Sequence, residues 1–236
     1  MKKVIAFSLY QAPDSWEKKM DTNYKKYLNG LKINMEDIKN YYSDWFVYLY
    51  HDENLDKSLL DEFKSYDKFT PIEVTDKSIS AMQWRFLPND DESVELFIVR
   101  DMDSRISQRE VTSVNEWIDS GKVLHIMRDH PHHHYKILGG MWGMRCQRDF
   151  NITEECRNYN TSKGYVIDTG WYDKWWDMNF LRDVVYPKYI DSSFVNASYH
   201  KMENWATDFT VEREDRKFIG EIYNENNERG YHYNLL

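Results

Sequence analysis

The stretch Val94-Glu95-Leu96-Phe97-Ile98-Val99-Arg100-Asp101-Met102-Asp103-Ser104-Arg105 combines the pattern of a buried strand with a pair of carboxylates. Its apolar, β-branched first half predicts a strand, and the capping box Ser107-x-x-Glu110 predicts that a helix begins shortly afterwards. Side chains two positions apart on an extended backbone point to the same side, so Asp101 and Asp103 can converge on one divalent cation. The stretch therefore predicts a strand that ends at a ligand site.

The segments before this stretch alternate between strand and helix patterns. Strands are predicted at residues 3–9, 45–50 and 69–74, and helices at residues 16–28, 31–42, 55–66 and 79–87, with Gly30 as the cap between the first two helices and Pro88 as the end of the last. This alternation is typical of an α/β layer built on a mainly parallel sheet. In such sheets ligands bind beyond the carboxyl ends of the strands, where Asp101 and Asp103 are expected to lie.

The second half of the chain carries fewer clear patterns. A helix is predicted from the capping box to Gly121, followed by a strand at residues 123–127, a loop at 128–143, a helix at 175–186 that Pro187 ends, and a late strand at 218–223. Residues 151–163 are polar and receive no assignment. Since no repeat, linker or low-complexity tract interrupts the sequence, we expect one continuous domain over residues 1–236.

The composition is that of a globular protein with an acidic charge balance. Of 236 residues, 41% are hydrophobic and 16% aromatic, and the formal net charge is −9. The basic residues form no dense stripe, which argues against general nucleic-acid binding. No apolar run is long enough to span a bilayer, and the one near Met1 is too short for a signal peptide. We therefore expect a soluble, cytoplasmic protein in which Cys146 and Cys156 are reduced.

The meaning of the Asp-x-Asp pair depends on its position, because such pairs are common in solvated acidic turns. Here it follows a buried strand and is flanked by Arg100, Ser104 and Arg105. Carboxylate oxygens suit Mg²⁺ or Mn²⁺, which keep open positions for phosphate oxygens, and arginines can add bidentate contacts. A metal held there would offset the charge of a diphosphate leaving group.

The segment His125-Ile126-Met127-Arg128-Asp129-His130-Pro131-His132-His133-His134 concentrates histidines. A zinc site is one interpretation, but consecutive histidines on an extended chain face alternate ways, and no Cys/His pair at ligand spacing accompanies them. A polar substrate-binding loop and an ordinary histidine-rich turn are the other two interpretations. Of the three, the substrate-binding loop is favoured.

Three glycines surround Met and Trp in Ile137-Leu138-Gly139-Gly140-Met141-Trp142-Gly143. Their spacing matches neither a dinucleotide-binding fingerprint nor a phosphate-binding P-loop. They indicate backbone that approaches another group closely, such as a sugar ring stacked on Trp142. A tight turn between buried elements explains the pattern equally well.

These motifs occur together in one order along the chain. They are Arg100-Asp101-Met102-Asp103-Ser104-Arg105, Arg109-Glu110, Glu116-Trp117, His125-x-Met127-Arg128-Asp129-His130-Pro131 and Leu138-Gly139-Gly140-Met141-Trp142-Gly143, with the flanking pieces Ser8-Leu9-Tyr10, Trp84-Arg85-Phe86-Leu87-Pro88, Asp177-x-x-Phe180-Leu181, Tyr186-Pro187 and Phe218-Ile219-Gly220-Glu221. Together they resemble the small GT-A-type glycosyltransferases of large DNA viruses, of the chlorella virus type, and of bacterial surface-polysaccharide clusters. The resemblance covers nearly the whole chain, and its central block is specific.

The resemblance implies a single GT-A-like, Rossmann-like α/β domain with a central, mainly parallel, mixed sheet flanked by helices. Residues 1–105 would form the donor half, and residues 106–236 the acceptor half with a closing C-terminal segment. It implies a UDP- or GDP-sugar as the nucleoside-diphosphate sugar donor, the hydroxyl of a glycan or glycoprotein as acceptor, and Mn²⁺ or Mg²⁺ as cofactor. A viral source would place the protein in the host cytoplasm.

The resemblance also implies roles for individual residues. Ser8, Leu9 and Tyr10 would lie near the nucleobase, Arg85 and Arg100 near the ribose or phosphates, Gly139 and Gly140 beside the donor, and His130, His132 and Trp142 against the donor sugar or acceptor. Asp103 would be the main metal ligand, and Asp101 would contact the metal or the ribose. The candidate catalytic carboxylates are Asp177 and Asp129, although capping of a helix alone also explains Asp177.

The sequence departs from the resemblance at one place that concerns the metal. Where such enzymes often supply a His-Asp pair, the chain has Val195-Asn196-Ala197-Ser198-Tyr199-His200. Either Asn196, through its amide oxygen, or His200 is then the candidate to complete the metal shell. The departure leaves the ligand set open.

Three functions are compatible with these observations. The first is a metal-dependent glycosyltransferase, inverting or retaining. The second is a sugar nucleotidyltransferase, which the lack of an N-terminal phosphate loop rich in glycine and lysine disfavours. The third is a non-catalytic carbohydrate-binding protein whose Trp and Tyr stack on sugars, but which has no need of an Asp-x-Asp beyond a buried strand. The sugar, the acceptor and the oligomeric state do not follow from the sequence.

Overall fold

A single sheet of seven strands organises the part of the chain that the computed structural model describes, residues 1–10, 24–164, 175–230 and 235–236. The strands are β1 (Lys2–Leu9), β2 (Phe46–His51), β3 (Phe69–Glu73), β4 (Val94–Arg100), β5 (Leu124–Arg128), β6 (Met141–Arg145) and β7 (Ser193–Ala197). The α-helices are α1 (Tyr24–Tyr41), α2 (Gln108–Ser120), α3 (Ile152–Ser162), α4 (Trp176–Phe180) and α5 (Tyr186–Tyr189). A π-helical turn at Leu181–Val185 joins α4 to α5, and 3-10 helices lie at Lys57–Phe63, Trp84–Asp90 and Ile190–Ser192.

The strand order across the sheet is β3-β2-β1-β4-β6-β5-β7. Neighbouring strands are parallel except on the two sides of β6, which runs antiparallel to β4 and β5. Six of the seven described strands therefore point their carboxyl ends to the same edge of the sheet. The predicted α/β architecture with a mainly parallel, mixed sheet is confirmed, and residues 1–105 and 106–236 both contribute strands to it.

Both faces of the sheet are covered, which explains why β4 is apolar along nearly its whole length. On one face Phe97 packs with Trp142, whose ring also meets Phe86, at centroid distances of 5.5 and 5.1 Å. On the other face Ile98 belongs to the core cluster that contains Trp117. Because each large apolar side chain removed from water contributes about 1.5–3 kcal/mol, β4 is stabilised from both sides.

The signals that predict α2 are confirmed by its caps. The Ser107 hydroxyl accepts a hydrogen bond from the backbone N–H of Glu110 at 3.3 Å, and Gly121 ends the helix with a φ of 67°. Glycine adopts this left-handed backbone conformation without steric cost. No helix in the described ranges has the length and apolar character of a membrane span.

Helix α1 differs from the prediction in having no break at Gly30. The helix continues through this residue to Tyr41, and a side chain on Gly30 would place its Cβ less than 3.0 Å from the carbonyl oxygen of Met102. One turn later, Asn34 donates hydrogen bonds from Nδ2 to the carbonyls of Met102 and Ser104, at 3.2 and 3.1 Å. Gly30 is thus the point where α1 touches the turn after β4. Residues 16–23 of the predicted helix lie outside the described residues.

Two predicted α-helices are 3-10 helices instead. Residues 55–66 contain the 3-10 helix Lys57–Phe63, and residues 79–87 overlap the 3-10 helix Trp84–Asp90. Pro88 lies inside the second of these and does not end it. Both segments are short links between strands, where the tighter 3-10 turn is common.

The second half contains the remaining corrections. The predicted loop at residues 128–143 ends in β6, whose glycines and methionines weaken its strand pattern, and residues 151–163 form α3 with Asn151 as its cap. The helix predicted at 175–186 continues past Pro187, which lies in the first turn of α5, directly after the π-helical turn Leu181–Val185. The predicted strand at 218–223 consists of turns, with an isolated bridge between Tyr223 and Arg229.

We predict that Gly30→Ala destabilises the protein, although alanine in place of glycine inside a helix usually adds about 1 kcal/mol. The added Cβ meets the Met102 carbonyl and forces α1 away from the turn after β4. The measurement is the free energy of unfolding in urea. Asn40→Ala, on an exposed position of the same helix, is the control and is expected to be neutral or slightly stabilising. Stabilisation by Gly30→Ala would show that the contact with Met102 is not close.

Candidate functional site

The site lies at the edge where the parallel strands end. Strands β1 and β4 are neighbours and finish with Leu9 and Arg100, while β6 runs the other way and begins at Met141, paired with Arg100. Tyr10, Asp101 and Gly140 follow or precede these ends directly. The strand order therefore brings together segments from three distant parts of the sequence.

Arg85 links two carboxylates at this edge. Its Nη2 lies 2.9 Å from Oδ2 of Asp177, and its Nη1 contacts Oδ1 of Asp101. The same Nη1 donates to the carbonyl of Arg100 at 3.3 Å. The side chains of Arg85 and Asp177 are 11% and 6% exposed, whereas that of Asp101 is 45% exposed. Asp101 is thus the carboxylate of this group that faces solvent.

The burial of this cluster changes its proton affinities. Burial raises the pKa of Asp177, while Arg85 acts in the opposite direction and Asp101 raises it further. Burial lowers the pKa of Arg85, but the two carboxylates outweigh this effect and the net change is upward. Burial also raises the pKa of Tyr10, whose phenol experiences the charges of the same three groups. Arg85 therefore remains a fixed positive charge, and Asp177 binds a proton more readily than an exposed carboxylate.

Gly139 and Gly140 pack against the two carboxylates through their backbone. A Cβ on Gly139 would lie less than 3.0 Å from both Oδ2 of Asp177 and Nη2 of Arg85. A Cβ on Gly140 would lie less than 3.0 Å from the carboxylate of Asp101. The sequence prediction of a close backbone approach is confirmed, and the groups approached within the protein are these side chains.

Asp103 lies beside Asp101 and pairs with a lysine from α1. The ammonium of Lys26 is 2.8 Å from Oδ2 of Asp103, and the two side chains are 16% and 13% exposed. Burial raises the pKa of Asp103; Asp101 raises it further and Lys26 lowers it. The carbonyl of Asp103 accepts a hydrogen bond from the backbone N–H of Tyr223 at 2.8 Å. The C-terminal segment is therefore attached to the Asp-x-Asp turn.

The donor set of the turn fits a hard divalent cation through Asp101 and Asp103. Each carboxylate has one oxygen engaged by a basic side chain. Carboxylate oxygens suit a hard cation whose other positions would be filled by phosphate and water. The described residues contain no group of three or more His, Cys, Asp or Glu arranged to hold a metal. A cation here therefore depends on its ligand for part of its coordination.

Asn196 and His200 do not join this pair. Oδ1 of the buried Asn196 accepts a hydrogen bond from the Ser113 hydroxyl at 2.7 Å and lies 3.1 Å from Nε2 of His125. Nε2 of His200 donates to the carbonyl of Pro131 at 2.6 Å. Both side chains are committed elsewhere, because a buried amide requires hydrogen-bond partners and His200 is held to the loop after β5.

Asp129 is the centre of a second charged cluster. Its carboxylate accepts hydrogen bonds from Nε and Nη2 of Arg109 at 2.9 and 2.7 Å, from Nη2 of Arg213 at 2.6 Å, and from the backbone N–H of Ile219 at 3.0 Å. The residue is fully buried. Its oxygens are saturated by these donors, so Asp129 ties the C-terminal segment to β5 and is not available to take a proton from an acceptor. This corrects its assignment as a catalytic candidate.

Arg100 and Trp142 are also structural. Nε of Arg100 lies 2.5 Å from Oε1 of Glu110 in a buried pair that joins β4 to α2. Trp142 is fully buried between Phe86 and Phe97, and no ring face is open to a sugar. The predicted stacking of Trp142 on a sugar is therefore wrong, because a motif does not reveal to which face of the sheet a side chain points. The contact of Arg100 with the ribose or phosphates stays a prediction.

The residues predicted near the nucleobase differ in exposure. Leu9 belongs to the core beneath the site. The Ser8 hydroxyl is buried and has no hydrogen-bond partner in the described part of the chain. Tyr10 is partly exposed and meets Trp84 edge-on at a centroid distance of 6.1 Å. Tyr10 is the member of this group whose phenol experiences the charges of Arg85, Asp177 and Asp101.

Arg128, at the end of β5, anchors the histidine-rich loop. This buried side chain pairs with both oxygens of Glu203, at 2.7 and 2.9 Å, and donates to the carbonyls of Tyr135 and Lys136. His130 is buried and stacks on Phe218 at 4.3 Å, whereas His132 is exposed. Of the two histidines predicted to contact sugar or acceptor, His132 is the one presented to solvent.

His133 is held neutral within the loop. Its Nδ1 accepts a hydrogen bond from the backbone N–H of Asp129 at 3.1 Å. Burial, together with the charges of the neighbouring histidines, lowers its pKa to about 3. His133 therefore serves as a hydrogen-bond acceptor that shapes the loop.

Lys26 is the site residue that the sequence motifs do not indicate. It stands in a lysine- and tyrosine-rich helical segment about 75 positions before the Asp-x-Asp, in no recognisable motif. Only the packing of α1 against the turn after β4 brings it to Asp103. The sequence offered one sign of this packing, which is that Lys26, Gly30 and Asn34 are spaced at i, i+4 and i+8 and so lie on one face of a helix.

Among known proteins, this chain is similar to solved structures only in its fold. No protein-family model and no curated protein matches the sequence. The similar solved structures include a glycosyltransferase involved in the glycosylation of the major capsid of PBCV-1, with 14% identity over 84% of this chain and 82% of that chain and a TM-score of 0.47.

Two further solved structures are similar over most of this chain. The S. aureus TarS 1–349 structure has 10% identity over 76% of this chain and 54% of that chain, with a TM-score of 0.39. The 4-diphosphocytidyl-2C-methyl-D-erythritol synthase from Anaerococcus prevotii has 12% identity over 77% of this chain and 85% of that chain, with a TM-score of 0.37. This chain thus spans about half of the TarS fragment.

We predict that His133→Asn makes stability less sensitive to acid. The pKa of His133 is depressed in the folded state, so its contribution to stability is present above the unfolded value of about 6.5 and is lost as pH falls. Between pH 7 and pH 5 the wild-type protein should lose about 2 kcal/mol more than the variant, in which the amide oxygen replaces Nδ1 as acceptor.

Urea unfolding at the two pH values measures this difference. The control is His134→Asn on the same loop, where the side chain is exposed and folding removes little water from it. Its loss of stability on acidification should equal that of the wild type. Identical acid sensitivity of the wild type and His133→Asn would show that His133 is not held neutral by burial.

Proposed function

We propose that this chain is a metal-dependent glycosyltransferase that moves a sugar from a nucleoside-diphosphate sugar to a hydroxyl of a glycan or glycoprotein. The supporting observation is the convergence of Asp101, Asp103, Asp177 and Arg85 at the carboxyl edge of the sheet, against the backbone of Gly139–Gly140. Ligands bind at this edge in α/β sheets, and the carboxylate of Asp101 faces solvent there.

Asp101 and Asp103 would hold Mn²⁺ or Mg²⁺ together with the diphosphate. When bound, the cation supplies positive charge that stabilises the leaving nucleoside diphosphate. Asp101, at 45% side-chain exposure, is open to such a ligand, and the partly shielded Asp103 lies beside it. Comparison of UDP with GDP in the presence of metal distinguishes the two donor nucleotides.

Arg85 positions the reacting groups. Its two η nitrogens fix the carboxylates of Asp101 and Asp177 relative to one another. In the proposed reaction Asp101 lies on the side of the sugar donor and Asp177 on the side of the acceptor, so Arg85 would hold the two sides together. A guanidinium is suited to this role because its donors have a fixed planar geometry. Loss of Arg85 would leave buried negative charge without compensation.

Asp177 is the proposed proton acceptor for the acceptor hydroxyl. Burial raises its pKa, which makes it a stronger base than an exposed carboxylate, and the adjacent Arg85 favours its ionised form. A base at this position implies that the reaction inverts the anomeric configuration, which the configuration of the product reports.

A carbohydrate-binding protein without activity is the weaker explanation of the same site. Trp142, the tryptophan that the sequence offered for sugar stacking, is in the core. Sugar binding by stacking has no use for two carboxylates joined by one buried arginine, with a third carboxylate paired to a lysine beside them. The charged cluster is instead what transfer of a sugar from a diphosphate requires.

We predict that UDP or GDP stabilises the protein only when Mn²⁺ or Mg²⁺ is present. At a ligand concentration of 100 Kd the gain is about 2.7 kcal/mol, which raises the melting temperature by several degrees. A thermal-shift screen of nucleoside diphosphates with and without metal measures it. Asp103→Ala should abolish the metal-dependent part, whereas Asp119→Ala, at an exposed position near the end of α2, should behave as the wild type.

Two results would refute the proposed function. One is the absence of stabilisation by any nucleoside diphosphate with metal. The other is an equal response to plain oligosaccharides without metal, which would favour the carbohydrate-binding explanation.

We predict that Asp177→Asn separates donor binding from transfer. The amide oxygen can still accept from Arg85, but the side chain can no longer take a proton, so turnover should fall by about 10²–10⁴-fold while the Kd of the donor nucleotide changes little. Transfer to acceptor and nucleotide titration are measured in parallel. Retention of transfer within threefold of the wild type would exclude Asp177 as the base.

A further inference from the structure

We propose that Lys26 is a phosphate-binding residue of this site and that a divalent cation displaces it from Asp103. This role rests on the proposed function and adds to it a residue from α1, outside the motifs that surround the Asp-x-Asp. The ion pair between Lys26 and Asp103 then represents the resting arrangement of the site, in which the lysine occupies the carboxylate that the cation takes over.

The position of Lys26 is set by the packing of α1 against the turn after β4. Lys26, Gly30 and Asn34 lie at i, i+4 and i+8 and therefore on one face of the helix. Gly30 touches the Met102 carbonyl, and Asn34 donates to the carbonyls of Met102 and Ser104. These contacts hold the Lys26 ammonium at 2.8 Å from Asp103 and leave its side chain 16% exposed.

The charges of the site distinguish Lys26 from Arg85. Arg85 is held between two carboxylates, Asp101 and Asp177, through separate nitrogens. Among the residues that the structure describes, Lys26 forms its ion pair with the single carboxylate of Asp103. The lysine also has a flexible four-carbon stem, so its ammonium can move by a few ångströms at low cost, which a bridging guanidinium cannot do. Lys26 is therefore the mobile positive charge of the pair.

A divalent cation on Asp103 changes the environment of this ammonium. The cation carries twice the charge of the ammonium and has the same sign, so the two compete for the carboxylate and then repel one another. The phosphate oxygens that complete the coordination of the cation are the nearest acceptors that a diphosphate brings. Lys26 then exchanges its carboxylate partner for a phosphate oxygen, without any change in the fold of α1.

This exchange makes predictions that a structural ion pair does not. If Lys26 only braced α1, its loss would weaken metal and nucleotide binding together. If Lys26 competes with the cation and binds phosphate, its loss has opposite effects on the two ligands. The cation alone binds more tightly, because its competitor is gone, and the diphosphate binds more weakly, because a charge-assisted hydrogen bond is gone.

The test uses Lys26→Met, which keeps most of the apolar stem and removes the charge. Titration of Mn²⁺ without nucleotide, followed by the electron paramagnetic resonance of free Mn²⁺, should show affinity at least as high as wild type and about threefold to tenfold higher at low ionic strength. Titration of the nucleoside diphosphate at saturating Mn²⁺ should show affinity about tenfold lower. The corresponding nucleoside, which lacks phosphates, should bind as it does to the wild type.

Two further variants serve as controls. Lys32→Met changes an exposed lysine on the same helix that pairs with Glu62, and it should alter neither affinity. Lys26→Arg keeps the positive charge and should retain both the competition with Mn²⁺ and most of the diphosphate affinity. It also separates loss of charge from loss of folding, should the methionine variant be unstable.

The outcomes are distinguishable from failure of the proposed function. A wild-type protein that binds neither Mn²⁺ nor any nucleoside diphosphate overturns both the function and the role of Lys26. A wild type that binds both, together with a Lys26→Met variant whose two affinities are unchanged or fall together, overturns the role of Lys26 alone. Opposite changes in the two affinities support it.

Discussion

The pairing of Arg85 with the buried Asp177 and the half-exposed Asp101 is the interaction on which the site depends. Asp101 follows β4, Asp177 stands in the first turn of α4, and Arg85 lies in the 3-10 helix Trp84–Asp90. Removing a charge from water is costly unless it is paired, so these three segments can pack together only while the guanidinium joins the carboxylates. The backbone of Gly139–Gly140 then closes against the cluster. The same contacts that make the packing possible also define the position of the proposed reacting groups.

The edges of the site are held by further buried ion pairs and not by apolar packing alone. Asp129 binds Arg109 and Arg213, and Arg128 binds Glu203, which attaches the histidine-rich loop and the C-terminal segment to the end of β5. The hydrogen bonds of each ion pair are directional. They therefore attach a loop and also fix its position. On the opposite side, the contact of Gly30 with Met102 fixes α1. A site built in this way is largely preformed before a ligand arrives.

Much of this site was predictable from the sequence because its residues occur in motifs. Asp101 and Asp103 follow a strand pattern, Gly139–Gly140 indicate a close approach of backbone, and Arg85 and Asp177 were identified through the resemblance of their flanking segments; the structure brings all of these together. Lys26 was not predictable, since helical spacing alone does not say what a helix packs against. The predicted stacking of Trp142 on a sugar was wrong because its strand buries it.

The sequence by itself determined the alternation of strands and helices, and therefore the α/β sheet with Asp101 and Asp103 at its carboxyl edge, because periodicity and caps are local properties. The tertiary structure alone decided the insertion of β6 between β4 and β5, the continuous path of α1 through Gly30, and the partners of each charged side chain. Asp129 and Asp177 look alike in the sequence, yet one is saturated by arginines and the other faces a single guanidinium. Partner choice among buried charges depends on which segments meet, and contacts between distant segments leave no local pattern.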